Sequence, residues 1–167
     1  MAKNLASNEI ISQKLAQASR KLAEMKIDLW ITFVQETSSG AERVFSYISP
    51  GHLTWDSAIL VTPAGETTVI CGKLDQQDFE QSGLFKSVVT FLQDFKEPFV
   101  SYLKALDPKR VAVNFSTNDA SADGITHGRY LYLEALLKET LPGVEILSAE
   151  AIIGSLISQK SQLGKNY

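Results

Sequence analysis

Apolar side chains recur along this chain with two alternating periods, and that alternation limits what it can fold into more than any other feature. Residues 8 to about 26 carry Ile11, Leu15, Ala18, Leu22 and Met25 in four-then-three steps, one face of an amphipathic helix. Asp28-Leu29-Trp30-Ile31-Thr32-Phe33-Val34 follows at once; its β-branched and aromatic side chains predict a buried strand. Two further strands, Asp56 to Thr62 and Thr67 to Cys71, flank Pro63-Ala64-Gly65-Glu66, where Pro and Gly suit a hairpin turn.

Lys86 to Phe91 and Lys109 to Phe115 read as strands separated by a helix entered through Glu97-Pro98, with the proline at the first helical position. A long helix from about Thr126 to Glu139 stops at Leu141-Pro142-Gly143. Val144 to Leu147 is a last short strand, and Ser148 is placed to cap a final helix. The segment Glu36 to Leu53, with Gly40, Pro50 and Gly51, reads as loop or short helix. Helices alternating with strands around one hairpin predict a single α/β domain, a mixed sheet of about six strands flanked by helices.

A chain of 167 residues, 44% hydrophobic, is long enough to bury one core. Its charged residues, 21% of the total with a net charge of -3, intersperse both signs and leave no footprint for nucleic acid or an anionic membrane. The basic stretches Lys14 to Lys26 and Lys160 to Lys165 are diluted by Glu, Gln and Ala and are expected on solvated helix faces. No apolar run reaches the roughly 20 residues of a membrane-spanning helix, and the first residues lack the apolar segment of a secretory signal. Cys71 is the single cysteine, so an internal disulfide and a thiolate metal cluster are excluded. Cytoplasmic residence is the simplest expectation.

Few residues carry chemistry. Asp28, Asp56, Asp119 and Asp123 lie at strand ends and turns, as carboxylates do in metal-dependent nucleases. Ordinary turn chemistry explains them, and the chain lacks the basic surface that a nuclease needs to hold a phosphate backbone. Ser38-Ser39-Gly40 lacks the Gly-Lys-Ser/Thr ending that grips nucleotide phosphates. Cys71 has no neighbouring base and reads as a small buried hydrophobe. Trp55, opening a strand, either closes one end of the core or lines a groove or interface. In Asp123-Gly124-Ile125-Thr126-His127-Gly128-Arg129 the plain reading is a helix start. There Asp123 or Thr126 caps, Gly124 and Gly128 relieve the backbone, and His127 is at the surface.

Three stretches taken in order resemble one known family. They are Lys26-Ile27-Asp28-Leu29-Trp30-Ile31-Thr32, the hairpin Ala58 to Glu66, and Val113-Asn114-Phe115-Ser116 followed by Ala122 to Gly128. Together they are similar to the N-terminal domain of the creatinase, prolidase and aminopeptidase P group, the pita-bread metallopeptidases. Many members carry a Tyr-Leu-Thr-Gly-Phe-like segment after the first strand; here Val44-Phe45-Ser46-Tyr47-Ile48-Ser49-Pro50 stands instead. In the family a Lys-Ser or Lys-Thr step hands over to the catalytic domain, and Lys160-Ser161 resembles it, six residues before the end.

The resemblance implies a creatinase N-terminal domain with ribonuclease H-like layering over residues 1–167, without the catalytic domain. In the family two divalent ions (manganese, cobalt or zinc), held there by two Asp, a His and two Glu, activate water for cleavage before proline. This chain has only His52 and His127, with no matching carboxylate series, so neither catalytic nor metal-binding residues are expected in it. The implied function is non-catalytic: subunit association, as a homodimer, and restriction of an active-site cleft in a parent Xaa-Pro dipeptidase or aminopeptidase. On that reading Trp55, Asp123, His127 and Arg129 are the cleft or interface candidates, and a C-terminal catalytic domain is the partner. A free-standing ligand-binding α/β module is the alternative. The two differ in whether the reading frame continues past Tyr167 into the Asp, Asp, His, Glu, Glu series.

Overall fold

A computed structural model describes residues 2–40 and 42–158, with residues 2–6 described as backbone alone. Lys160-Ser161 and the basic stretch up to Lys165 lie outside the described residues. Helix α1 (Ala2–Met25) ends where Lys26 turns left-handed, at φ 57°. There Ile27 N donates to Leu22 O at 2.9 Å and Lys26 N to Ala23 O at 3.2 Å, closing the helix terminus. The chain then enters β1 (Leu29–Val34), which is buried along its whole length.

After β1 come a 3-10 turn at Thr37–Ser39 and the four-residue helix α2 (Phe45–Ile48), so the ambiguous segment holds both loop and helix. Strands β2 (Ser57–Val61) and β3 (Thr67–Gly72) form the expected hairpin. Gly65 takes the positive φ of 89° that its turn requires, and Thr62 N donates to Glu66 O at 3.0 Å. Helix α3 (Gln76–Ser82), β4 (Ser87–Phe91), α4 (Lys96–Leu106), β5 (Arg110–Val113), α5 (His127–Thr140), β6 (Glu145–Ser148) and α6 (Glu150–Ser158) complete the described chain. Pro98 stands third in α4 rather than first; its missing N–H still falls among those with no partner inside the helix. The Ser148 hydroxyl accepts from Glu150 N at 3.1 Å, giving α6 the expected cap.

The six strands form one mixed sheet in the order β4-β3-β2-β1-β5-β6. β2 pairs antiparallel with both neighbours and every other pairing is parallel, so β2 alone runs against the rest. Alternation along β1 divides the core into two layers. Trp30 and Val34 face a cluster built with α1, α2, α3 and α6. Leu29, Ile31 and Phe33 face another, built with Phe99 and Leu103 of α4 and Leu133, Leu136 and Leu137 of α5.

One basic residue departs from its expected solvated position. Lys14 is 3% exposed, with Nζ donating to Leu156 O at 2.6 Å and lying 5.7 Å from the centre of the Tyr47 ring. Burial lowers its pKa. The α1 face was therefore wider than its apolar residues alone implied, because the long aliphatic stem packs while the ammonium finds a carbonyl.

Candidate functional site

Five strands end on the same edge of the sheet, and the antiparallel β2 begins there, because Val34 at the end of β1 pairs with Ser57. From β1 the chain leaves to α2, on one face of the sheet; from β5 it leads to α5, on the other. A parallel pair whose connections part to opposite faces opens a crevice beyond its carboxyl ends, where ligands bind in α/β sheets. The candidate residues gather along this edge.

Asp56, one step before β2, meets Arg129 in the first turn of α5. Arg129 Nη1 lies 3.0 and 3.1 Å from the two Asp56 oxygens. The guanidinium also lies 5.0 Å from the centre of the Tyr132 ring and 5.8 Å from that of Phe33. Burial raises the Tyr132 phenol, the Asp56 and Asp94 charges add to the rise, and Arg129 opposes it. An aromatic series continues outward from there. Phe33 and Phe95 are 5.3 Å apart between ring centres, Phe95 and Phe91 6.1 Å, and Phe91 and Trp55 6.2 Å. Trp55 is 41% exposed and lies over Gly72, where a β-carbon would stand 2.7 Å from its Cε3. It thus both covers the end of β3 and presents an aromatic surface to solvent.

The turn before α5 is built differently from its sequence reading. Thr126 occupies the N-cap position but makes no side-chain cap bond. Asp123 does not cap α5 either: its Oδ1 accepts from Ser116 N at 3.0 Å and ties the loop back to the end of β5. Gly124 and Gly128 relieve no strain, since neither has a positive φ. Gly124 is needed for space, because a β-carbon there would stand 2.1 Å from Glu42 Oε1. His127 is exposed at the start of α5, while His52 Nδ1 lies 3.2 Å from Thr37 Oγ1.

Glu42 is the residue that sequence reasoning missed. Both its carboxylate oxygens are shielded from solvent, with the Asn114 amide a neighbour that hydrogen-bonds them only weakly. Burial pushes its carboxyl up to about 7, with Asn114 lowering it and the Asp123 charge raising it. Asn114 is itself committed to a buried network at the β1–β5 boundary: its Oδ1 accepts from Trp30 Nε1 at 2.6 Å and its Nδ2 donates to Thr32 Oγ1 at 3.1 Å. Glu42 and Arg129 both line a cavity of about 100 Å³, with Phe33, Val34, Ile125 and Thr126.

The four aspartates considered for a nuclease do not converge. Asp28 sits at the opposite sheet edge, accepting from Lys109 N and Arg110 N, each at 2.9 Å. Asp119 folds onto Ser121, whose hydroxyl and backbone hold its carboxyl below the usual range. Among the described residues, no three His, Cys, Asp or Glu side chains are grouped to hold a metal ion. Cys71 is buried, and desolvation pushes its thiol up to about 12. No described helix is long and apolar enough to cross a membrane.

No protein-family model matches the chain, and neither does any curated protein. Solved structures do match it, and they define its class: the fold is that of the creatinase/prolidase N-terminal domain. A proline dipeptidase structure from Streptococcus pneumoniae is 20% identical at a TM-score of 0.62, covering 89% of this chain and 99% of that one. The creatinase/prolidase N-terminal domain of an Xaa-Pro dipeptidase from Streptococcus pyogenes is 12% identical, with a TM-score of 0.55 and coverages of 85% and 97%. The prolidase from Pyrococcus horikoshii is 18% identical at a TM-score of 0.60 over 92% of this chain, which spans 37% of that protein.

Proposed function

We propose that this chain is a non-catalytic domain of an Xaa-Pro dipeptidase- or aminopeptidase-like protein, serving subunit association and restricting access to the active-site cleft. The observation that carries this reading is the fold match to N-terminal domains of Xaa-Pro dipeptidases that were solved as separate units. The carboxyl edge of the sheet supports it further, since a half-exposed tryptophan continuous with a buried aromatic series suits a partner surface. Trp55, Asp123, His127 and Arg129 would lie at or near that contact. The partners are a second copy of the chain and a C-terminal catalytic domain. Two divalent ions (manganese, cobalt or zinc) belong to that domain, and the protein resides in the cytoplasm.

Sedimentation at increasing concentration tests the association. A homodimer burying about 1,000 Å² or more is expected, and replacing Trp55 with Ala should weaken it. A strict monomer at high concentration would overturn the homodimer.

A further inference from the structure

We propose that the hollow walled by Trp55, Phe91 and Tyr132 binds a small free quaternary ammonium ion, its methyl groups on the rings and its charge beside Asp94. The proposal goes beyond the peptidase and association readings and rests on neither, since every residue it uses lies in this chain.

Three observations converge. The first is the lining. A cavity of about 260 Å³ is walled by Trp55, Phe91, Phe95 and Tyr132, and its charged lining side chains among the described residues are Asp56 and Asp94. That volume far exceeds the roughly 10 to 15 Å³ that admits one water. The second is access. Trp55 and Asp94 are exposed, Phe91 and Tyr132 are half-buried, and the buried Phe95 forms the inner wall. An aromatic surface and a carboxylate are thus both open to a ligand from solvent. The third is charge. Burial raises the Tyr132 phenol and the Asp56 and Asp94 charges add to the rise, so both carboxylates are felt at that ring. Arg129 neutralises Asp56 at 3.0 Å, which leaves Asp94 to set the sign of the lining. One Asp94 oxygen accepts from Lys96 N at 2.9 Å, holding the carboxylate at the start of α4.

A quaternary ammonium fits these walls better than other ligands. An aromatic face is negative and attracts cations. The fold already sets one cation on this series, with the Arg129 guanidinium 5.0 Å from the Tyr132 ring centre and 5.8 Å from that of Phe33. Methyl groups on the ligand gain further by leaving water against the rings. A metal ion fits poorly, because rings offer no oxygen ligands. Among the described residues, moreover, no three His, Cys, Asp or Glu side chains are grouped to hold one. An anion would face Asp94, and so would the phosphate of a phosphocholine headgroup, which favours the free ion.

The test is titration of the full 167-residue chain near neutral pH with choline, tetramethylammonium, phosphocholine and the uncharged carbon analogue of choline, in which tert-butyl replaces trimethylammonium. The amide resonances of Trp55, Asp56, Gln93 and Asp94 report binding. Choline and tetramethylammonium are expected to shift them saturably, with the carbon analogue at least about tenfold weaker. Trp55→Leu keeps an apolar wall but removes the ring, and should weaken choline about tenfold. Asp94→Asn should weaken it about threefold. The wild-type comparison of choline with its carbon analogue stands even should a variant fail to fold. No saturable shift with choline or tetramethylammonium would overturn the site, as would the carbon analogue binding as tightly as choline. Unchanged choline affinity in folded Trp55→Leu or Asp94→Asn protein would do the same, and phosphocholine binding more tightly than choline would overturn the free ion as ligand.

Discussion

Glu42 makes the stability of this domain depend on pH in an unusual direction for a carboxylate. Its ordinary value of 4.5 rises to about 7 on folding, so between those values the folded protein binds more protons than the unfolded one. Stability therefore falls as pH rises through that window, and stays lower above it. The shift corresponds to about 3 kcal/mol. Glu42→Gln should melt like the wild type near pH 4.5 and be more stable by a comparable amount at pH 8.5; equal melting at both pH values would contradict the burial argument. At Gly72 the space argument is steric. Gly72→Ala should lift the Trp55 ring from β3 and move tryptophan emission to longer wavelength, while Trp30 stays buried. Trp55, Asp123 and Arg129 stand out in the sequence as aromatic, acidic and basic residues beside a strand or helix start, and the structure shows only where they lie: Trp55 half-exposed, Asp123 tied to Ser116 N, and Arg129 on Asp56. Glu42 does not stand out, because an isolated glutamate in a loop looks solvated until the fold closes Gly124 over it.

At the scale of elements, the periodic segments were legible nearly to their ends. β1 reads as a strand because Leu29 to Val34 is apolar on both faces, and the structure places it at the centre of the sheet with both faces covered. The strand order and the loop between β1 and β2 were less visible, since they are settled by contacts distant in sequence. Asp28 is one such contact: a single carboxylate oxygen accepts two backbone N–H groups at the start of β5 and so sets the register of the parallel pair. Asp28→Ala should cost about 1 to 3 kcal/mol by leaving those donors without their acceptor. Chemical denaturation measures this, and Asp28→Asn, which keeps a side-chain oxygen, should recover part of the loss. An Ala variant as stable as the wild type would show that Asp28 does not tie the two strands.

For the whole molecule, the fold came through because the helix–strand alternation and the hairpin specify a layered mixed sheet. Its likeness to the creatinase/prolidase N-terminal domain was carried by the order of short segments, each unspecific when taken alone. The same organisation explains why the chain's reactive groups stay apart. Asp28 binds backbone at one sheet edge, Asp56 is paired with Arg129 at the other, and Cys71 is buried in the core with its thiol pushed up. Two-metal hydrolysis needs several such groups converging on one water; among the described residues no three His, Cys, Asp or Glu side chains are so grouped, and the central claim is the proposal that this domain is non-catalytic. The most direct measurement is hydrolysis of Xaa-Pro dipeptides by the purified chain with added manganese, cobalt or zinc. Rates indistinguishable from a heat-killed control are predicted; metal-dependent turnover above that control would contradict the account.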